Sequence, residues 1–124
     1  MIFGIGTDII EIDRVKSSLQ KGEKFKRMVF HPEEIAICEQ NPNTVSSYAG
    51  RFAAKEAMFK ALGTGWSGNM KISDVVIKND SKGKPFIELE GEVEKYAREC
   101  EIEAIHLSIS HSKSYATAMV ILEK

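Results

Sequence analysis

Residues 44–62 read TVSSYAGRFAAKEAMFKAL, the longest stretch of this chain with a helical pattern. When successive residues are placed 100° apart, the apolar side chains fall on one face of the predicted helix. These side chains are Val45, Tyr48, Ala49, Phe52 and Phe59. Glu56 falls in the middle of the same face, and Lys60 falls at its edge. The pattern therefore predicts a carboxylate on the apolar side of a long helix.

A lone carboxylate in apolar surroundings is costly unless a cation or a metal compensates its charge. The alternative for Glu56 is an ordinary ion pair with Lys60, four residues away, which adds about 0.3 to 0.5 kcal/mol on a helix surface. That alternative fits poorly with a position on the apolar face. We therefore interpret Glu56 as a functional residue.

Two further polar residues continue apolar patterns. Asp8 ends the run MIFGIGTD, which predicts a buried strand over residues 2–10 with Asp8 near its end. His111 has the same parity as the apolar residues of the segment 105–111, so it is expected on the covered face of a strand. For His111 alone, a hydrogen-bonded core histidine is the simpler interpretation. If Asp8 and Glu56 converge, their hard oxygen ligands suit Mg²⁺, with waters and substrate phosphates completing the coordination.

The chain contains three ordered motifs: GIGTDIIEIDR at 4–14, GRFAAKEAMFKALGTG at 50–65 and LSISH at 107–111. Their order and spacing resemble, from end to end, the holo-acyl-carrier-protein synthase family of 4′-phosphopantetheinyl transferases. The middle motif is the most specific of the three. The pattern departs from the family at Thr7, where an aliphatic residue is expected, and at Trp66, where a smaller side chain is more usual.

The resemblance implies an α+β fold of the 4′-phosphopantetheinyl transferase type, with an antiparallel sheet packed against a long central helix. It implies transfer of phosphopantetheine from coenzyme A to a serine of apo acyl carrier protein, with release of adenosine 3′,5′-bisphosphate. Asp8 and Glu56 would hold Mg²⁺ against the pyrophosphate, and Lys60 would stabilise its oxygens. These three residues are the predicted catalytic set.

Contacts with coenzyme A are expected from Arg51, Lys60 and His111. The general base stays open between Glu56 and a water on a metal held by Asp8. The segment 63–65 is interpreted as an ordinary helix end in preference to a phosphate loop. Two other function classes use the same residues: a metal-dependent pyrophosphate or nucleotide hydrolase, and a noncatalytic module that binds a carrier protein.

Composition is that of one ordinary soluble domain spanning residues 1–124, with 43% hydrophobic and 28% charged residues. The longest apolar run is far shorter than the roughly 20 residues of a membrane span, and the N-terminus lacks a signal-peptide pattern. Cys38 and Cys100 are isolated thiols, which favours a reducing compartment. We expect a cytoplasmic protein. The resemblance adds a role in fatty acid biosynthesis and a homotrimer with the coenzyme cleft between neighbouring subunits.

Along the chain, the alternation of patterns is typical of an α+β fold. Strands are predicted at 2–10, 74–78, 85–89, 104–111 and 115–122, with the second and third forming a hairpin and the last two an antiparallel pair. Helices are predicted at 12–20, 32–40, 44–62 and 92–101.

Residues 14–27 are strongly basic although the chain has a net charge of −1. The segment contains a single acidic residue, Glu23, and six basic ones: Arg14, Lys16, Lys21, Lys24, Lys26 and Arg27. Such a patch can attract an acidic protein, a membrane surface or a nucleic acid, or it can be a solvated helix face. The resemblance favours acyl carrier protein, with Arg14, Lys24, Phe25 and Arg27 as contacts. We expect neither a nucleic acid nor a membrane as partner.

Overall fold

The computed structural model of the chain describes residues 1–65 and 68–124, so the unusual Trp66 lies outside the described residues. The strands are β1 (Ile2–Glu11), β2 (Val75–Asn79), β3 (Pro85–Leu89), β4 (Ala104–His111) and β5 (Tyr115–Glu123). The helices are α1 (Ile12–Gln20), α2 (Glu23–Val29), α3 (Pro32–Gln40), α4 (Thr44–Leu62) and α5 (Gly91–Glu99), and a 3-10 turn covers Ile72–Asp74.

The strands form two antiparallel sheets, one with the order β1-β5-β4 and one made of the hairpin β2-β3. Ala118 of β5 lies between Asp8 of β1 and Ile109 of β4. The predicted α+β fold, its hairpin and the pairing of the last two strands are confirmed. The central position of β5 was not predicted, because the period of a strand does not reveal its neighbours.

The central helix α4 packs unusually close to β1. A Cβ atom added to Gly4 would lie 1.9 Å from the carbonyl oxygen of Ala61, and one added to Gly6 would lie 2.0 Å from that of Ala57. Any side chain at these positions would collide with the helix backbone. The two glycines therefore allow strand and helix to meet backbone to backbone.

The three-stranded sheet has one face on α4 and one facing outward. On β5 the residues facing α4 are buried, namely Ala116, Ala118, Val120 and Leu122. On the outward face, Ile5 is 56% exposed, Ile9 63% and Met119 44%. The expectation of a buried strand over 2–10 is therefore correct for one face of β1 only. Asp8 lies three residues before the end of β1, further inside the strand than expected.

Most residues of α4 are buried, because the sheet, α1, α3 and β2 all contact it. Its least buried side contains Phe52, Glu56 and Lys60, of which Lys60 is exposed. The prediction that Glu56 lies in the middle of the buried face is therefore wrong. The predicted apolar stripe is not the most buried face, since Val45 and Phe52 are only half-buried, and a helix that is enclosed on several sides buries its other faces as well.

Helix α2, Glu23–Val29, was not predicted. The segment is short, and its charges hide the apolar positions Phe25 and Val29, which pack inward. Gly22 precedes it with a φ of 130°, a backbone conformation that favours glycine. Within the described parts of the chain, no helix is both long and apolar enough to cross a membrane.

Candidate active site

Asp8 and Lys60 meet where β1 crosses α4. The Lys60 Nζ donates a hydrogen bond of 2.8 Å to the Asp8 Oδ1. The Asp8 side chain is only 13% exposed, whereas that of Lys60 is 55% exposed. The second oxygen, Asp8 Oδ2, is buried and has no hydrogen-bond partner among the described residues. One oxygen of this carboxylate is thus compensated by a lysine, and the other is left available to a ligand.

Glu56 lies on α4 one turn before Lys60, at intermediate exposure. Two residues of β1 span about 6.8 Å along the strand, and four residues of α4 span about 6 Å along the helix axis. Every second residue of β1 therefore lies beside every fourth residue of α4. Gly4 meets Ala61 and Gly6 meets Ala57, and the same step brings Asp8 level with the preceding helical turn. That turn carries Glu56. The step places Asp8 level with Ala53, three residues and about 4.5 Å of helix rise before Glu56, so the two acidic residues lie within one turn of α4 of each other.

These residues fit a divalent cation of the Mg²⁺ type. Among the described residues, no group of three or more His, Cys, Asp or Glu side chains is arranged to hold a metal ion. Magnesium usually takes one or two protein carboxylates and completes its octahedron with waters and substrate phosphates. The unpartnered Asp8 Oδ2 is a hard oxygen donor of the required kind. The roles of Asp8 and Glu56 as metal ligands stay predictions.

Arg51 and His111 line a cleft of ≈ 540 Å³ between α4, the hairpin β2-β3 and the end of β4. The guanidinium of Arg51 donates to Ser47 Oγ at 2.9 Å and to Asn79 Oδ1 at 2.7 Å. Its Nε is buried and makes no hydrogen bond within the described residues. A buried cation with an unused donor at the edge of a cleft can bind phosphate.

His111 lies at the end of β4 on the side of α4, as its parity predicted, but it is exposed and does not lie in the core. Its Nε2 is 3.1 Å from the carbonyl oxygen of Ser46, so this nitrogen carries the proton and donates. A Cβ atom at Gly50 would lie 2.5 Å from that nitrogen. The glycine therefore gives the imidazole its place against the helix.

The predicted partner-binding residues lie on and beside α1 and α2. Arg14 is exposed at the rim of a pocket of ≈ 350 Å³ that also contains Phe25 and Phe52. The Phe25 ring packs edge-on against Phe52, with centroids 5.8 Å apart, so it is part of the core as well as of the pocket wall. Lys24 lines an adjoining pocket. Arg27 is exposed.

Sequence reasoning missed the charged pair that, among the described residues, is buried most completely. Glu34 of α3 and Lys55 of α4 are both 0% exposed, and the Lys55 Nζ lies 2.6 Å from the Glu34 Oε1. Burial lowers the pKa of Lys55, although the charge of Glu34 opposes this shift. The only signal in the sequence was a lysine at a helical position that faces other elements.

A family model described as the 4′-phosphopantetheinyl transferase superfamily matches residues 4–120. This chain belongs to that superfamily. The holo-[acyl-carrier-protein] synthase of Clostridium tetani is 48% identical to it over 99% of this chain and 97% of the relative. The predicted resemblance is confirmed, and with it the prediction of an enzyme.

Solved structures of the superfamily agree with the fold. The crystal structure of the holo-[acyl-carrier-protein] synthase from Neisseria meningitidis has a TM-score of 0.93 at 37% identity, with 100% of both chains covered. The Bacillus anthracis synthase, solved in complex with CoA (3′,5′-ADP), has a TM-score of 0.81 at 38% identity and covers 98% of this chain and 96% of its own. The transferase fold is therefore that of the holo-acyl-carrier-protein synthases.

Proposed function

We propose that this enzyme transfers 4′-phosphopantetheine from coenzyme A to a serine of apo acyl carrier protein and releases adenosine 3′,5′-bisphosphate. The observation that carries the proposal is the Asp8 carboxylate, with one oxygen on Lys60, a buried second oxygen without a partner among the described residues, and Glu56 one helical turn before Lys60. The holo-acyl-carrier-protein synthase relatives and the coenzyme A complex of one of them support the choice of substrates.

The reaction sets two electrostatic problems. The carrier serine hydroxyl must approach the phosphorus of an anionic pyrophosphate, and negative charge grows on the phosphate oxygen that leaves. Bound Mg²⁺, held by Asp8 and Glu56, would supply positive charge to both groups. Catalysis then consists mainly of positioning and of charge neutralisation.

Lys60 supplies the second positive charge. In the structure its ammonium is bound to Asp8 but remains 55% exposed, so it can contact a phosphate without leaving the carboxylate. An ammonium has three donors, and one of them is used by Asp8. Lys60 would therefore stabilise the oxygens of the pyrophosphate as the bond to the leaving group breaks.

Arg51 and His111 would bind the nucleotide end of coenzyme A. They share the cleft beside the β2-β3 hairpin, and the unused Nε of Arg51 supports binding of a phosphate there. Since the Arg51 guanidinium is already held by Ser47 and Asn79, it would enter the complex with little loss of side-chain freedom.

The basic segment of α1 and α2 would bind the acidic carrier protein. Arg14 and Lys24 are exposed and flank the apolar wall formed by Phe25, which suits a partner that combines acidic and apolar side chains. Long-range attraction would raise the rate of association, and the apolar contact would give specificity. Arg27 would add a further positive charge at the edge of this surface.

We further propose a cytoplasmic homotrimer that serves fatty acid biosynthesis. The outward face of the three-stranded sheet supports association, since Ile5, Ile9 and Met119 are all exposed there. A cleft that lacks one wall can be completed by a neighbouring subunit in a closed ring. The number of three follows from the resemblance to the synthase family.

Mass spectrometry of the carrier tests this function. Apo acyl carrier protein should gain one phosphopantetheine on a serine only when enzyme, coenzyme A and Mg²⁺ are all present. If coenzyme A is instead cleaved in the absence of carrier, the hydrolase alternative is correct. If the carrier binds and gains no mass under any condition, the chain is a binding module.

A further inference from the structure

The strongest unexplained feature is the ion pair between Glu34 and Lys55, because burying two charges brings little net stability. The desolvation of both groups can exceed their mutual attraction, and apolar residues of similar volume are often equally stable. Buried ionic groups are nevertheless useful where they fix one arrangement of helices against others of similar energy.

The pair makes directional bonds to several elements at once. The Lys55 Nζ donates to Glu34 Oε1 at 2.6 Å, to the carbonyl oxygen of Ile72 at 3.3 Å and to that of Val75. Glu34 in turn accepts from the backbone nitrogen of His31 at 2.9 Å and from that of Ile77 at 2.9 Å. Helix α4 is thus tied to the start of α3 and to the strand β2 by a fully bonded ammonium group.

On the other side of α4, the side chain of Lys60 donates a hydrogen bond to Asp8 of β1, but the Lys60 side chain is 55% exposed. Gly4 and Gly6 meet the carbonyl oxygens of Ala61 and Ala57, and these small residues allow close approach without opposing a small rotation of the helix. Burial of the pair at 0% exposure also excludes water, which would otherwise replace a broken bond. Lys55 therefore restrains rotation of α4 about its axis through bonds shielded from water, in addition to the hydrogen bond of Arg51 to Asn79.

We propose that the Glu34–Lys55 pair is a positioning device that sets the rotation of α4, so that Glu56 and Lys60 face Asp8. Lys55 directly precedes Glu56, and the two side chains leave the helix about 100° apart. A rotation of about 10° moves a group 6 Å from the helix axis by about 1 Å. A displacement of that size at a reacting centre can cost about 100-fold in rate. Because it concerns the transfer reaction, this inference rests on the proposed function.

The test compares the double variant Glu34→Gln/Lys55→Met with the wild type and with Val93→Ala. Val93 is fully buried on α5, a helix that carries none of the candidate site residues, so its truncation lowers stability and leaves both members of the pair in place. For each protein, Tm is measured, and kcat and KM for coenzyme A are determined from carrier modification well below Tm. We expect the double variant to lose at least about tenfold in kcat while its KM changes by less than about threefold. Val93→Ala should lower Tm and keep kcat.

A kcat of the double variant within about twofold of the wild type would overturn the proposal, as would an equal loss of kcat in Val93→Ala. If the double variant does not fold, Glu34→Gln is measured alone, since glutamine keeps one acceptor oxygen. A kcat close to that of the wild type, or an equal loss of kcat in Val93→Ala, would again overturn the proposal. If the wild type transfers nothing, the proposed function fails. The positioning role is then decided by a crystal structure of the folded variant, in which Lys60 should have left Asp8; an unchanged contact would refute it.

Discussion

Lys60 of the central helix contacts Asp8 of the first strand across 2.8 Å, although the two residues are 52 positions apart in the chain. The contact holds a lysine and an aspartate together at the interface between strand and helix, with Glu56 one helical turn before the lysine. The proposed chemistry uses both charges: the carboxylate to hold a cation and the ammonium to stabilise phosphate oxygens.

Replacement of Lys60 by alanine should lower kcat by about 100-fold. The variant lacks the preorganised positive charge that would stabilise the oxygens of the departing phosphate. The Asp8 carboxylate would also lose its only hydrogen-bond donor among the described residues. The rate is measured from the mass gained by the carrier at saturating coenzyme A. Lys95→Ala, on the exposed side of α5, is the matched control and should keep the wild-type rate.

Asp8→Asn and Glu56→Gln should each abolish detectable transfer while the fold is retained, because an amide keeps the shape of the carboxylate and removes its charge. Circular dichroism checks the fold, and calorimetric titration of the coenzyme complex with Mg²⁺ checks metal binding. Glu92→Gln, an exposed charge neutralisation on α5, serves as control. Normal metal affinity in both site variants would contradict the assignment of ligands.

Arg14→Ala combined with Lys24→Ala should raise the KM for the carrier by roughly tenfold and leave kcat at saturating carrier nearly unchanged. The reason is that exposed charges act mainly on association, which they accelerate over long range. Steady-state kinetics at two salt concentrations provide the measurement. In the wild type, added salt should raise this KM steeply, and the variant should respond less. An equal response in both proteins would exclude the patch from carrier binding.

Ile5→Lys should dissociate the proposed trimer, because the substitution places a charge in an apolar patch that association would bury. Ile5 is 56% exposed in the single chain, so the fold of the subunit should tolerate the change. Sedimentation velocity gives the mass of the assembly. Phe86→Lys, at an exposed apolar position of β3 outside this sheet, is the control and should remain assembled. The proposed interface would be wrong if both variants behaved alike.

Stability should fall at acid pH partly through Glu39. A hydrogen bond from Tyr48, and then one from Lys26, lower the pKa of Glu39 below its ordinary 4.5. A carboxyl group whose pKa is lower in the folded state stabilises the fold above its unfolded pKa, and the effect is lost as pH falls through the folded value. Urea unfolding between pH 7 and pH 3 should therefore show a smaller acid-induced loss in Glu39→Gln than in the wild type. Equal losses would show that Glu39 does not contribute.

The helices and strands that sequence patterns predicted are those with a clear period. The hairpin between residues 74 and 89 was found because its turn is rich in Gly, Asn, Asp and Ser, and α4 because its stripe runs over five turns. Helix α2 escaped prediction because, in a segment of seven residues, four charged side chains obscure the apolar positions. Local sequence therefore predicted those helices and strands that are long enough for their apolar residues to show a clear period.

The candidate site was predictable to the extent that it depends on motifs. The contact between Asp8 and Lys60 joins the first strand to the central helix, and the convergence of Asp8 with Glu56 stays a prediction. The burial of Glu56 was overestimated, and the pair of Glu34 with Lys55 was not predicted at all. Both outcomes depend on how α3 and β2 surround α4, which is a property of tertiary packing and not of helical period.

The lack of side chains at Gly4 and Gly6 determines how far the acidic side chain at position 8 has to reach. Since strand and helix lie backbone to backbone there, the two-carbon side chain of aspartate spans the remaining gap. Even a methyl group at either glycine would act as a wedge, tilting β1 outward and carrying the carboxylate out of reach of α4. The dimensions of the reaction centre are thus fixed by two residues that carry no functional group of their own.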